Sequence, residues 1–159
     1  MIKSISATFG SRTVLQDVIK RHPEREFKLL QSNATQQQLQ LLDISDKPTI
    51  FQSSVEYQVL GHVGDNEFRG LLNFEFFKLE PDDQKALRSV VNTSLLNNPP
   101  AKMFAAYLLE NKYASNELIV LTIWPTLKDL STWKQSSNYK FGHYNSSQDR
   151  YYQRTYQPG

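Results

Sequence analysis

Hydrophobic and polar positions divide the chain into a short, mixed first third and a more regular remainder. Residues 2–9 alternate imperfectly and predict a strand closed by Gly10. Residues 13–21 carry Val14, Leu15, Val18 and Ile19 at helical spacing, and Pro23 stops that helix. Residues 26–31 and 37–43 read as a pair of strands turning at Ser32-Asn33-Ala34, with Gln36, Gln37, Gln38 and Gln40 as a solvent-facing edge. After a turn at Asp46-Lys47-Pro48, residues 54–63 read as another strand, ending near Gly64-Asp65-Asn66.

From residue 68 the pattern is cleaner. Residues 68–79 predict a strand. Glu80-Pro81-Asp82-Asp83 then predicts a helix start, with proline in the first turn and acids at the positive end of the helix dipole. Leu87, Val90, Val91 and Leu95 form the apolar stripe of that helix, which Asn97-Asn98-Pro99-Pro100 ends. Residues 102–110 and the strongly apolar 117–124 predict two more strands, the second suited to a sheet centre. Thr126-Leu127-Lys128-Asp129 resembles a capping box and opens a helix with Leu127, Leu130 and Trp133 on one face; residues 151–156 close the series as a ring-rich strand.

Strand, helix, strand, strand, helix, strand is the βαββαβ order of the ferredoxin-like split unit, so the class predicted is α+β, of the dimeric α+β barrel type. Its helices lie on one sheet face and leave the other bare and apolar, in need of a cover. The expected division is an N-terminal α/β segment, 1–66, and a ferredoxin-like unit, 67–159. Either the N-terminal segment covers the bare face, as an internal pseudo-dimer in a monomer, or a second copy does so in a homodimer.

Composition narrows the function classes. The 159 residues, 39% hydrophobic and 21% charged, suit a globular protein of one domain or two small ones. Eighteen basic against sixteen acidic side chains leave a formal charge of +2, too small and too dispersed for a nucleic-acid or membrane-surface protein. No cysteine is present, which excludes disulfides, thiolate catalysis and sulfur-ligated zinc. No apolar run approaches the roughly 20 residues of a membrane span, and the N-terminus lacks a signal-peptide core. A cytoplasmic protein is expected. Phosphate loops, the Gly-x-Ser-x-Gly elbow and His-Glu-x-x-His are all missing from the sequence.

The chain has three histidines. His22 lies at a charged helix end and His62 at a strand end, where both read as ordinary surface residues. His143 follows an apolar strand ending Thr122-Ile123-Trp124, a capped helix bearing Trp133, and the run Ser136-x-x-Tyr139-Lys140-x-x-His143. This stretch resembles the antibiotic-biosynthesis monooxygenase domain, and more narrowly the bacterial haem-degrading monooxygenases of that superfamily. The resemblance covers roughly residues 68 to 156. It extends, through the N-terminal third and the closing Arg150-Tyr151-Tyr152-Gln153-Arg154-Thr155-Tyr156, to longer two-part relatives, some described as haem monooxygenases and others as signal-transduction proteins.

The resemblance implies three working residues: an Asn on the first strand of the unit, a Trp on its second helix, and a His ten residues after the Trp. Asn73, Trp133 and His143 fill those positions. It implies haem as both substrate and cofactor, with dioxygen and an external electron donor. His143 would be the ligand of the haem iron, Asn73 the distal hydrogen-bond donor, and Trp133 the wall that bends the macrocycle. On an uninterrupted helix, Trp133 and His143 would stand about 15 Å apart along the axis and roughly 80° apart around it, flanking one flat ligand. Gly142 weakens such a helix by about 1 kcal/mol relative to Ala. Lys134 and Lys140 are candidates for the haem propionates by charge. Two alternatives remain open: a cofactor-free monooxygenase acting on a small aromatic compound, and a non-enzymatic haem-binding or regulatory protein on the same fold.

Overall fold

The computed structural model describes residues 2–34, 39–144 and 150–159. Its elements are β1 (Ser4–Gly10), α1 (Arg12–Arg21), β2 (Phe27–Ser32), β3 (Leu39–Asp43), β4 (Val55–Gly64), β5 (Leu71–Lys78), α2 (Pro81–Val91), β6 (Ala105–Asn111), β7 (Glu117–Trp124), α3 (Leu127–Gln135) and β8 (Tyr151–Pro158). The eight strands close into one barrel in the order β1-β3-β2-β8-β5-β7-β6-β4, every neighbour antiparallel.

That order repeats itself. Around the ring, β4-β1-β3-β2 and β8-β5-β7-β6 follow the same fourth-first-third-second sequence of a ferredoxin-like unit. The first set lacks its second helix, since no helix lies between β3 and β4. The sets join at two seams, β2 with β8 and β4 with β6. The N-terminal segment thus meets the bare face of the second unit by completing a barrel with it.

Strand alternation builds the core from both sides. Inward positions, among them Ile5, Leu72, Phe74, Tyr107, Leu121 and Tyr156, fill the barrel. Outward positions Leu71, Phe77, Leu108, Val120 and Trp124 pack beneath α2 and α3, which supply Leu87, Val91, Leu130 and Trp133. Buried on both faces, β7 has no exposed residue along its length, which is why it reads as a continuous apolar run. Leu15 of α1 meets Leu39 and Leu41 on the outside of the first set.

Several boundaries differ from the sequence reading for local reasons. β5 starts at Leu71, because Phe68 and Gly70 adopt φ of 53° and 92° and break the extended run. α2 ends at Val91 and continues over Asn92–Leu96 as a wider turn, closed by the Asn97 amide donating to the Asn92 carbonyl at 2.9 Å. The hydroxyl of Ser94 donates back to the Val90 carbonyl at 2.6 Å, the kind of side-chain competition that distorts a helix. Gln40 is buried, not solvent-facing; Gln36, Gln37 and Gln38 lie outside the described residues. Leu127 is exposed and drops out of the buried stripe of α3. No helix among the described residues is long and apolar enough to cross a membrane.

Candidate functional site

The outward face of β5 carries an anomaly under the helices. Between Leu71 and Phe77 stand Asn73 and Glu75, both fully buried. A polar group without partners there costs about 1–3 kcal/mol, and a charge more, so partners are required. Glu75 Oε1 accepts from the phenols of Tyr139 at 2.6 Å and Tyr151 at 2.7 Å, with the Lys134 ammonium 3.8 Å away. Lys134 also donates to the Gln153 side-chain carbonyl. Gln153 Nε2 donates to Asn73 Oδ1 at 2.6 Å. The Asn73 amide nitrogen makes two long contacts, 3.4 Å each, to Glu75 Oε2 and to Thr122 Oγ1.

The cluster is therefore a ring, Glu75–Lys134–Gln153–Asn73, that ties β5 to β8 and α3. Burial, and then the Glu75 carboxylate, raise the Tyr151 phenol above its ordinary pKa of 10, so Tyr151 remains a donor. The oxygen end of Asn73 is held firmly and its N–H end loosely.

Beside the ring lies an aromatic wall. Trp133, 4% exposed, stands 5.2 Å from Trp124, 4.9 Å from Tyr139 and 5.9 Å from Phe141 between ring centroids, the last two edge-on. Trp124 Nε1 donates to Thr122 Oγ1 at 2.8 Å, so Trp133 and Asn73 are linked through Trp124 and Thr122. The Trp133 indole N–H is buried and has no partner among the described residues. Trp133 and Trp124 also line a small pocket of about 230 Å³, mostly apolar, with Pro100 and Asp129. This adjoins an open cleft of about 1040 Å³ between the wide turn after α2 and residues 138–140, lined by Asn97, Asn98, Asn138 and Lys140.

His143 lies elsewhere than a continuous helix would put it. α3 stops at Gln135, where Ser136 turns extended and its hydroxyl donates to the Trp133 carbonyl at 2.7 Å. Ser136-Ser137-Asn138 offers the backbone competing hydrogen bonds, and these residues, rather than Gly142, end the helix. Trp133 and His143 are consequently not two faces of one helix. His143 is exposed in a turn two residues beyond the buried Phe141, its ring 5.0 Å from Tyr144. It makes no hydrogen bond among the described residues. Lys134, read as a propionate partner, is committed to the buried ring, while Lys140 is exposed at the cleft. His62 is half-buried, stacked on Tyr107 at 4.3 Å, and is no ordinary surface residue.

Comparison with known proteins bears on the fold. Chains of solved structures superpose on essentially all of it. An uncharacterised ferredoxin-fold protein of Listeria monocytogenes related to antibiotic-biosynthesis monooxygenases matches with a TM-score of 0.80 and 20% identity, over 99% of this chain and 95% of that one. The fold is shared end to end. A haem-degrading enzyme of Listeria monocytogenes matches at 0.74 and 18%, over 99% and 100%. A major regulator of staphylococcal pathogenesis matches at 0.79 and 16%, over 99% of both. The α+β ferredoxin-like architecture is thus shared with these solved structures. No family model matches the sequence, and no curated protein does.

Glu75 escaped the sequence reading, and Tyr139, Tyr151 and Gln153 entered it only as parts of motifs, with no role in a site. A signal for Glu75 was present: it stands two residues after Asn73, so both must share a strand face between Leu71 and Phe77. The three partners come from other segments and leave no such trace.

Proposed function

We propose that the chain binds haem at the helix-covered face of β5 and opens its ring oxidatively, releasing iron, with electrons from an external donor. The observation that carries the reading is the buried carboxamide of Asn73, its N–H end weakly engaged, set one aromatic layer from the Trp133 wall. The unpartnered Trp133 N–H and the adjoining 1040 Å³ cleft support a ligand of this size on this face. So does the likeness in fold to a haem-degrading enzyme.

The residues fit haem in part. His143 is exposed and makes no hydrogen bond among the described residues, so its imidazole could serve as a ligand of haem iron. Trp133 offers a rigid wall, and Lys140 a cation for a propionate. Asn73 is sealed by its neighbours, so its donor reaches a ligand only after they move. Bound haem would supply oxygen activation. The chain's part is to hold the macrocycle by an imidazole, press it against an indole, exclude water, and present the Asn73 N–H at the opposite side. A cytoplasmic setting with reduced electron carriers suits this chemistry.

The test is aerobic haem plus a reductant, followed by absorbance. The Soret band should shift on binding and decay with iron release. His143→Ala should weaken binding and alter the iron spectrum. Asn73→Ala should retain binding and slow turnover; unchanged turnover removes its distal role. A second reading, cofactor-free oxidation of a small aromatic compound, is favoured by the 230 Å³ apolar pocket on Trp133, and a Soret band that does not move points to it. Haem that binds and stays intact under air and reductant points instead to a binding or regulatory protein.

A further inference from the structure

Residues 138–141 alternate between two environments. Asn138 and Lys140 line the open cleft, whereas Tyr139 reaches Glu75 at 2.6 Å and the fully buried Phe141 packs on Trp133 and, at 6.1 Å, on Phe77. This single strip of chain is the partition between the cleft and the buried Asn73–Glu75 ring.

The partition is lightly built. Residues 137–144 form turns, with neither helix nor strand. A Cβ added at Gly142 would meet nothing within 4 Å. Its inward grip includes the packing of the Tyr139 and Phe141 rings on Trp133 and the hydrogen bond of the Tyr139 phenol to Glu75. Behind it lie polar groups that the closed state does not satisfy well: the indole N–H of Trp133, which has no partner among the described residues, and the Asn73 amide nitrogen, whose two contacts are 3.4 Å long. Two aromatic rings stand edge-on against the Trp133 indole, 4.9 and 5.9 Å away between centroids.

We propose that Tyr139 and Phe141 are a self-supplied plug in a planar-ligand site, and that a porphyrin-sized conjugated ligand binds by displacing them, joining the cleft to Asn73 and Glu75. This deepens the proposed function and rests on its choice of this face, but not on iron ligation or turnover. The observed affinity is then the intrinsic affinity divided by the fraction of chains with the plug out. Loosening the plug must tighten binding, the reverse of what removal of an ordinary ligand contact does.

Iron-free protoporphyrin is the probe, because it tests the slot without His143. The chain's two tryptophans, Trp124 and Trp133, both stand at the site, so intrinsic emission reports on it directly. Phe141→Ala should bind protoporphyrin about tenfold or more tighter than the parent chain, with quenching of tryptophan emission. Tyr139→Phe, which keeps the ring and deletes the phenol, should shift affinity the same way by a smaller factor and speed amide exchange over 137–144. Equal affinities in all three proteins overturn the proposal, as does tighter binding without tryptophan quenching. If circular dichroism shows Phe141→Ala unfolded, Tyr139→Phe alone decides on the same criteria. A chain that behaves as described with protoporphyrin yet leaves haem intact under air and reductant keeps the plug and loses the ring-opening reading.

Discussion

Removing the carboxylate at the centre of the buried ring separates two accounts of what the ring does for stability. Glu75→Ala takes from the phenols of Tyr139 and Tyr151 the carboxylate they share, a charge-assisted hydrogen bond worth about 1.5–3 kcal/mol apiece, and leaves a void where the side chain was. Lys134, 25% exposed, keeps Gln153 and turns to water, so little is added from that side. The loss comes to roughly 3–5 kcal/mol, the range found when one partner of a buried pair is removed. For a chain of this length that is a fall in Tm on the order of 10 °C. Replacing the acceptor and both donors together, Glu75→Leu with Tyr139→Phe and Tyr151→Phe, strands no phenol and fills the space. That triple variant should recover most of the loss, because apolar groups of matching shape substitute for a buried polar set nearly neutrally. Urea unfolding at pH 7, with the slope m checked for constancy, measures both. A triple variant as unstable as Glu75→Ala would refute the reasoning, since the cost would then lie outside stranded polar groups.

Trp133→Phe should leave the fold intact, because the indole N–H it deletes has no partner among the described residues; the haem assay should show altered rate or product, and unchanged values of both would remove the wall from the mechanism. Gly70→Ala should destabilise the chain by about 2–4 kcal/mol in thermal melts, since φ is 92° and a Cβ would lie 2.4 Å from the Trp124 carbonyl oxygen. Burial raises the pKa of Tyr57, Tyr107 and Tyr151 above 10 in the folded state, so the folded chain retains protons that the unfolded chain sheds. Their contribution is intact below pH 10 and falls as pH rises beyond it, by up to about 1.4 kcal/mol per tyrosine per pH unit. Absorbance of phenolate near 295 nm should accordingly rise together with unfolding; ionisation of all tyrosines at pH 10 in a still-folded chain would contradict it.

The architecture was legible because the second unit obeys local rules. Pro81 with Asp82 and Asp83 opened α2, Thr126 capped α3, and the apolar run of β7 marked a strand buried on both faces. The barrel type was expected, but its seams were not legible: they pair β2 with β8 and β4 with β6, segments far apart in sequence whose alternation suits several registers. The candidate site divides in the same way. Asn73 and Trp133 were pointed to by the resemblance alone; in the fold a chain of contacts through Trp124 and Thr122 connects them. Gly142 suggested a break in the helix before His143, but the helix ends earlier, at Gln135, where the Ser136 hydroxyl bonds the Trp133 carbonyl and the Asn138 amide.

The missing helix between β3 and β4 has a stoichiometric consequence. A symmetric pair of such units would present two equivalent clefts, yet here only the second half owns the element that carries an indole wall. Titration of one chain should saturate at a single equivalent of ligand, and the first half is free to vary its outer surface provided it goes on completing the ring.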